Sequence, residues 1–401
     1  MTTPFRDTLR FARGWIRPAS DLRTRTLTLS PGRGAAGPAA TSHPGPAAEG
    51  GRAGDRGPAT GLLLEPGGGD GPRPGWVVLH GITRPGPHHP ALLHFAGALA
   101  STGVRVLIPE IPEWRRMDLA PRRAQEIIGL AVDRLASDPE TAPGGVVLLG
   151  FSFGSAQALY HLADRAARGE PAPVRGVAGW GGYADLGRTV HFQFTGEHGW
   201  GDDRYRATPD PYGRWVVGAN ILPLVPGLTG SRPVAEALRR LAIRSSDLQM
   251  PGSSPSFDSV KLQLRVGLPR PLRPLFDLFA PRSGRIPPRD EAAEMTRRLV
   301  EAAQTHIPLL DPLPLIAQVP VPVRLLHARS DQLIPFTETL AAARMLEGRT
   351  PGLESRILGL FSHSGGSAGG GMGDRIRGSV SFLGALRSVF ELSGAPTPKT
   401  G

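Results

Sequence analysis

Short, continuous apolar runs separated by helical stretches are the feature that most narrows the folds open to this chain. From residue 75 onward, Trp76-Val77-Val78-Leu79, Val104-Arg105-Val106-Leu107-Ile108-Pro109, Val146-Val147-Leu148-Leu149 and residues 174–180 read as strands. Between them, 90–101, 122–136 and 155–167 carry apolar residues at helical spacing. A strand buried on both faces reads as an unbroken apolar run, and such strands joined through helices make a parallel sheet covered on each side. The expected fold class is therefore α/β, a mostly parallel central sheet flanked by helices. After an interruption the pattern returns, with strands at 321–327 and 355–360, a helix at 336–346 and a closing helix at 375–392.

The flanks and the interruption divide the chain. Residues 1–30 hold an N-terminal helix and a threonine-rich segment, 22–29, that alternates like an exposed edge strand. Residues 31–60 have Gly or Pro at 13 of 30 positions, and alanine is their only other apolar side chain. Such a stretch buries too little surface to offset its ordering entropy, so 31–59 are expected to form a disordered loop between two edge strands. Residues 60–180 and 319–396 form the core. Residues 181–318 lose the alternation but show helical patterns at 212–222, 233–243 and 289–304, and read as a mainly helical cap insertion. Its segment 215–225 is apolar enough either to line an acyl pocket or to form the insertion's own core.

Composition excludes several functions. No apolar run approaches the roughly 18 residues of a membrane-spanning helix. The absence of cysteine removes disulfides, thiolate metal sites and cysteine nucleophiles. The net charge is +11, yet all but two of the 46 basic residues are arginine, beside 53 Gly and 42 Pro, as GC-rich codon usage produces. No block of five like charges occurs, and no nucleic-acid partner is expected. Arginines interrupt the apolar positions of 4–16, so no secretory signal forms and a cytoplasmic location is expected. Phe5, Leu9, Ala12 and Ile16 share one helical face, expected to dock on the chain's own domain, with peripheral contact to an anionic membrane as the alternative. His88, His89 and His94 lie within seven residues, but no carboxylate is nearer than Glu110, so no metal is expected. Oligomeric state is left open.

The chemistry concentrates at Gly150-Phe151-Ser152-Phe153-Gly154, between an apolar strand and a helix. In that context G-x-S-x-G means a strained turn that lifts the serine hydroxyl off the sheet, where side chains at 150 and 154 would collide with neighbouring backbone. A serine needs a base, itself oriented by a carboxylate. Asp331 follows the strand 323–326, and His363 follows the strand ending at Leu360, which puts both at the sheet edge where Ser152 emerges. Asp185, after the strand 174–180, is the alternative acid. Oxyanion donors are expected from the amides of Phe153 and Ile82, with Gly81 allowing close approach. His80 is expected to bond backbone and shape that loop, and His327 to be a strand histidine.

These residues, Leu79-His80-Gly81, Gly150-Phe151-Ser152-Phe153-Gly154, Asp331 within 330–335 and His363, resemble the α/β-hydrolase family in their order. The resemblance covers about residues 60–180 and 319–395. It implies Ser152 as nucleophile, His363 as general base then acid, Asp331 as its orienting partner, and a cap inserted after the strand ending at Trp180. The function expected is a serine hydrolase acting on a small-molecule carboxylic ester or related acyl substrate, without a cofactor. A peptidase or acyltransferase of the same fold, or a non-catalytic binding module, is the alternative.

Overall fold

The computed structural model describes residues 3–17, 21–30, 58–68, 71–359 and 372–394. Its strands, in chain order, are β1 (Arg23–Leu29), β2 (Ala59–Glu65), β3 (Gly75–Leu79), β4 (Arg105–Pro109), β5 (Val146–Phe151), β6 (Val174–Trp180), β7 (Glu197–Trp200), β8 (Asp203–Arg206), β9 (Val323–Ala328) and β10 (Leu353–Leu358). Eight of them make one sheet, in the order β1-β2-β4-β3-β5-β6-β9-β10. From β4 to β10 all neighbours are parallel; β2 is antiparallel to both β4 and β1. The class is α/β, as the apolar runs require.

Alternate residues of the central strands feed two cores. Val77, Leu79, Leu107 and Leu148 point to one side of the sheet, and Trp76, Val78, Val106, Ile108, Val147 and Leu149 to the other. The helices Pro121–Ala136 and Phe153–Ala167 cover the first side; Thr3–Ile16, Pro90–Ala100 and Met372–Glu391 cover the second. β3 and β4 are buried at every position, which is why they read as continuous runs rather than alternations.

Two expectations about the first elements are corrected. β1 and β2 do pair, from Arg23 with Glu65 to Leu29 with Ala59, but only β1 is an edge, because β2 also pairs with β4. Most of the intervening tract, residues 31–57, lies outside the described residues. The helix Thr3–Ile16 does dock on its own domain, yet through Phe11, 1 % exposed, with Thr8 and Gly14 beside it. The face expected to dock is turned outward, with Phe5 49 %, Leu9 55 % and Ile16 79 % exposed.

Between β6 and β9 the chain leaves the sheet and forms six helices of seven to eighteen residues and the β7–β8 hairpin. Trp215, Ile221, Leu222 and Val225 are all fully buried here, so the apolar segment is packing core. That core is continuous with the first face of the sheet. Arg214, also buried, donates to the carbonyls of Phe279 and Gln193 at 3.0 and 2.7 Å and so ties three elements together. Among the described residues no helix is long and apolar enough to cross a membrane.

Candidate active site

Ser152 stands where β5 gives way directly to the helix Phe153–Ala167. Its backbone is at φ +53°, ψ −123°, a conformation that L-residues adopt only under constraint. The constraint is visible on both sides: the Ser152 N–H donates to Trp180 O on β6 at 2.7 Å, and its carbonyl accepts from Ser155 N at 2.9 Å. A Cβ at Gly150 would lie 2.3 Å from Gly154 O, and one at Gly154 would lie 2.6 Å from His80 O. Both glycines are therefore required by the tightness of the turn. Ser155 fits behind Ser152 because β6 and its exit are bare there. A Cβ at Gly179 or Gly182 would sit 2.3 Å from the Ser155 hydroxyl.

The loop after β3 closes over the serine. A Cβ on Gly81 would lie 3.3 Å from the Ser152 Cβ and 3.7 Å from its Oγ, so only a residue without a side chain leaves space between this loop and Ser152. The Phe153 and Ile82 amides donate to no other described residue, as donors kept for an oxyanion should. His80 shapes the loop: its Nδ1 lies 2.7 Å from Gly81 O. That carbonyl and the Ile82 N–H belong to one peptide unit, so the imidazole fixes the plane of the expected donor. Burial lowers the His80 pKa to about 4, against the pull of the Gly81 bond, so the ring is neutral near pH 7 with its proton on Nδ1.

Residues that the sequence reading did not single out support this loop. Trp114 places its indole edge-on against both His80 and Phe153, with ring centroids 5.2 Å apart in each pair. From the insertion, the Tyr212 hydroxyl donates to Ile82 O at 2.6 Å, and the Ser246 hydroxyl accepts from Arg84 N at 2.9 Å. Asp247 pairs with the Arg84 guanidinium at 3.2 Å. The only sequence signal is the helical pattern of 212–222, which carries Tyr212; Ser246 lies beyond the pattern read at 233–243. It gives no hint that both reach back some 130 to 160 residues.

Asp331 lies in the turn after β9 and is 4 % exposed. Its Oδ1 accepts from the amides of Leu333 at 2.8 Å and Ile334 at 3.1 Å. His327 is buried on β9, between the Thr339 hydroxyl and Ile334 O, each at 2.8 Å, with its Nε2 3.4 Å from Asp331 Oδ2. It is a strand histidine that steadies the acid's turn. The sheet register relates this turn to Ser152: Phe151 pairs with Trp180, and Trp180 with Leu326. Ser152 and Asp331 thus leave the same edge of the sheet two strands apart, about 10 Å in sheet spacing. β10 ends at that edge too, Leu358 pairing with Ala328. His363 lies outside the described residues.

Asp185 is otherwise engaged. Its side chain caps the helix Leu186–Thr195 by accepting from Arg188 N at 3.0 Å, and its own N–H donates to Glu338. Of the three clustered histidines, His94 packs its ring on Trp15. Among the described residues no group of three or more His, Cys, Asp or Glu could hold a metal.

The eight-stranded, mostly parallel sheet flanked by helices, with a serine raised on a strained strand-to-helix turn, is the architecture expected from the α/β-hydrolase resemblance. No protein-family model matches the chain, and no curated protein matches its sequence. Solved structures do. An acylaminoacyl peptidase from Pyrococcus horikoshii aligns with 96 % of this chain and 43 % of its own, at 11 % identity and a TM-score of 0.48. Brefeldin A esterase, described as a bacterial homologue of human hormone sensitive lipase, aligns with 96 % of this chain and 84 % of its own, at 14 % identity and 0.44. The cell wall degrading esterase LipA from Xanthomonas oryzae aligns with 83 % of this chain and 85 % of its own, at 16 % identity and 0.47. These neighbours are hydrolases. The chain spans less than half the length of the peptidase.

Proposed function

We propose that this chain is a serine hydrolase that cleaves a small carboxylic ester or related acyl compound through an acyl-enzyme on Ser152, with residues 181–318 as its cap. The observation that carries the reading is the strained backbone of Ser152 beside two amides, Phe153 and Ile82, that donate to no other described residue. Ser152 Oγ attacks the acyl carbon as its proton passes to His363. The carbonyl oxygen becomes an oxyanion held by the two amides, and the bond to the leaving oxygen breaks as His363 returns the proton there. Water then loses a proton to His363 and attacks the acyl carbon; the bond to Ser152 Oγ breaks as His363 returns the proton to Oγ, and the acid leaves. Asp331 orients His363 and stabilises its charged form. Both amides act on charge present only in the transition state, and losing one such donor costs about 100- to 1,000-fold in rate.

Labelling by a fluorophosphonate probe, run beside hydrolysis of a short-chain chromogenic ester, tests this. Wild type is expected to label, and Ser152→Ala to lose both labelling and turnover while melting at an unchanged temperature. Asp331→Asn is expected to lose about 10,000-fold in kcat, and Asp185→Asn to lose little. A folded wild type that neither labels nor turns over would point to a binding module instead.

A further inference from the structure

The N-terminal helix presents three sectors around its axis, and one of them packs on the domain among the described residues, while Arg10 of another donates to Thr102 O at 3.4 Å. At 100° per residue, Thr8, Phe11 and Gly14 fall together and pack inward. Phe11 places its ring against Phe95, with centroids 5.4 Å apart, and Phe390, 5.7 Å apart. Phe5, Leu9 and Ile16 form a second, apolar stripe within about 40° of one another, with exposures of 49, 55 and 79 %. Arg6, Arg10, Arg13 and Arg17 make a third sector directly alongside it. All four are exposed, and none forms an ion pair among the described residues. Asp7 is the sole acid on the helix. Trp15, 38 % exposed, falls between Thr8 and Phe11 at the margin of the docked sector, its ring 5.8 Å from Phe11 and 4.3 Å from His94.

An exposed Phe-Leu-Ile stripe bounded by arginines loses stability to water unless something covers it. The covering surface must be apolar at the stripe and anionic beside it. We propose that it is an anionic lipid bilayer: Phe5, Leu9 and Ile16 enter the boundary between headgroups and acyl chains, while the four arginines meet lipid phosphates. Phe11 keeps the helix docked on the domain, so the contact holds the whole molecule peripherally at the surface without a spanning segment. The arrangement is independent of the reaction proposed for Ser152.

Co-sedimentation of the full chain with vesicles of phosphatidylcholine, with and without phosphatidylglycerol, tests the proposal. Binding is expected to the anionic vesicles only, and to weaken as salt is raised. Each arginine replaced, as in Arg6→Gln or Arg13→Gln, is expected to weaken it about fivefold. Phe5→Ser, Leu9→Ser and Ile16→Ser together are expected to remove it, at least about a hundredfold. Near-ultraviolet circular dichroism and the melting temperature of these variants should stay as in wild type, since Phe11 is untouched. Equal sedimentation with both vesicle types, or unchanged binding by the variants, overturns the proposal. So does a dimer of the wild-type chain that the stripe variants dissociate, because the face would then belong to a second copy.

Discussion

At the scale of single residues, the candidate site depends on peptide planes held from outside the motif. His80 fixes the Gly81–Ile82 peptide, and the Tyr212 hydroxyl fixes the next one through Ile82 O. If Ile82 N–H is an oxyanion donor, Tyr212 is a positioning residue for it. Tyr212→Phe keeps the ring and removes the bond. We expect kcat for a short ester to fall about tenfold with KM unchanged, a split that general loosening of the insertion would not produce. Steady-state kinetics on the two proteins decides the matter. At this scale the sequence is informative for Gly150 and Gly154, because a turn this tight leaves no room for a side chain there, and so for the Ser152 they flank. It was silent on Tyr212, whose partner is 130 positions away.

Elements are joined by buried charge as well as by apolar contact. Arg105 on β4 is almost fully enclosed and reaches Glu65 at the end of β2 at 2.6 Å, and Asp138 just after the helix Pro121–Ala136 at 2.7 Å. It also donates to the Thr141 hydroxyl at 2.9 Å. Burial alone would raise the pKa values of Glu65 and Asp138. Hydrogen bonds from arginine outweigh it and hold both below their ordinary range. These depressed carboxylates stabilise the fold above the unfolded pKa, and that contribution is lost as the pH falls through the folded value. Arg105→Ala removes their shared cation but leaves Glu65 paired with Arg25 at 2.9 Å and Asp138 with Arg134 at 2.8 Å, and urea unfolding at neutral pH should show a loss of about 1–3 kcal/mol. The deficit should narrow toward pH 4 as the carboxylates of the variant take up protons. Arginine inside an apolar strand run is legible as a buried residue, but its partners are not.

Several helices depart from the sequence pattern for a related reason. The N-terminal helix has apolar residues on two faces, and periodicity selected Phe5, Leu9, Ala12 and Ile16 because they are more numerous than the docked Phe11. In the insertion, the helices Leu186–Thr195, Asp258–Gly267 and Arg273–Phe279 lie outside the helical patterns of the sequence. Lys261, which a periodicity reading counts as polar, is 4 % exposed, pairs with Asp258 and lies over the Trp215 ring. Short helices among Pro, Gly and Ser carry too few apolar positions to register, and their burial is supplied by neighbours distant in sequence.

Across the whole molecule, two buried histidines couple stability to pH. Burial brings His80 to about 4 and His161, aided by Arg165 and Arg168, to about 3. In the unfolded chain both titrate near the ordinary 6.5. Between those limits the unfolded state binds more protons, so stability rises with pH and is lost on acidification. Each histidine should contribute roughly 2 kcal/mol of loss between pH 7 and about pH 5. His161→Gln, whose amide can still donate to Gln125, should remove about half of the slope, read from urea midpoints at the two pH values. An unchanged slope would show that His161 does not carry its share.

The sequence by itself determined the sheet, its two covering layers, the serine turn and the strand that delivers Asp331. Unbroken apolar runs and obligatory glycines are local consequences of burial and sterics, and they need no knowledge of what lies opposite. Tertiary structure alone decided that β2 is interior, that Phe11 rather than Phe5 and Leu9 docks, and that the insertion holds the loop after β3 through Tyr212 and Ser246. Each of these depends on which surfaces meet, and contacts between segments forty or more residues apart leave no periodic trace in either segment.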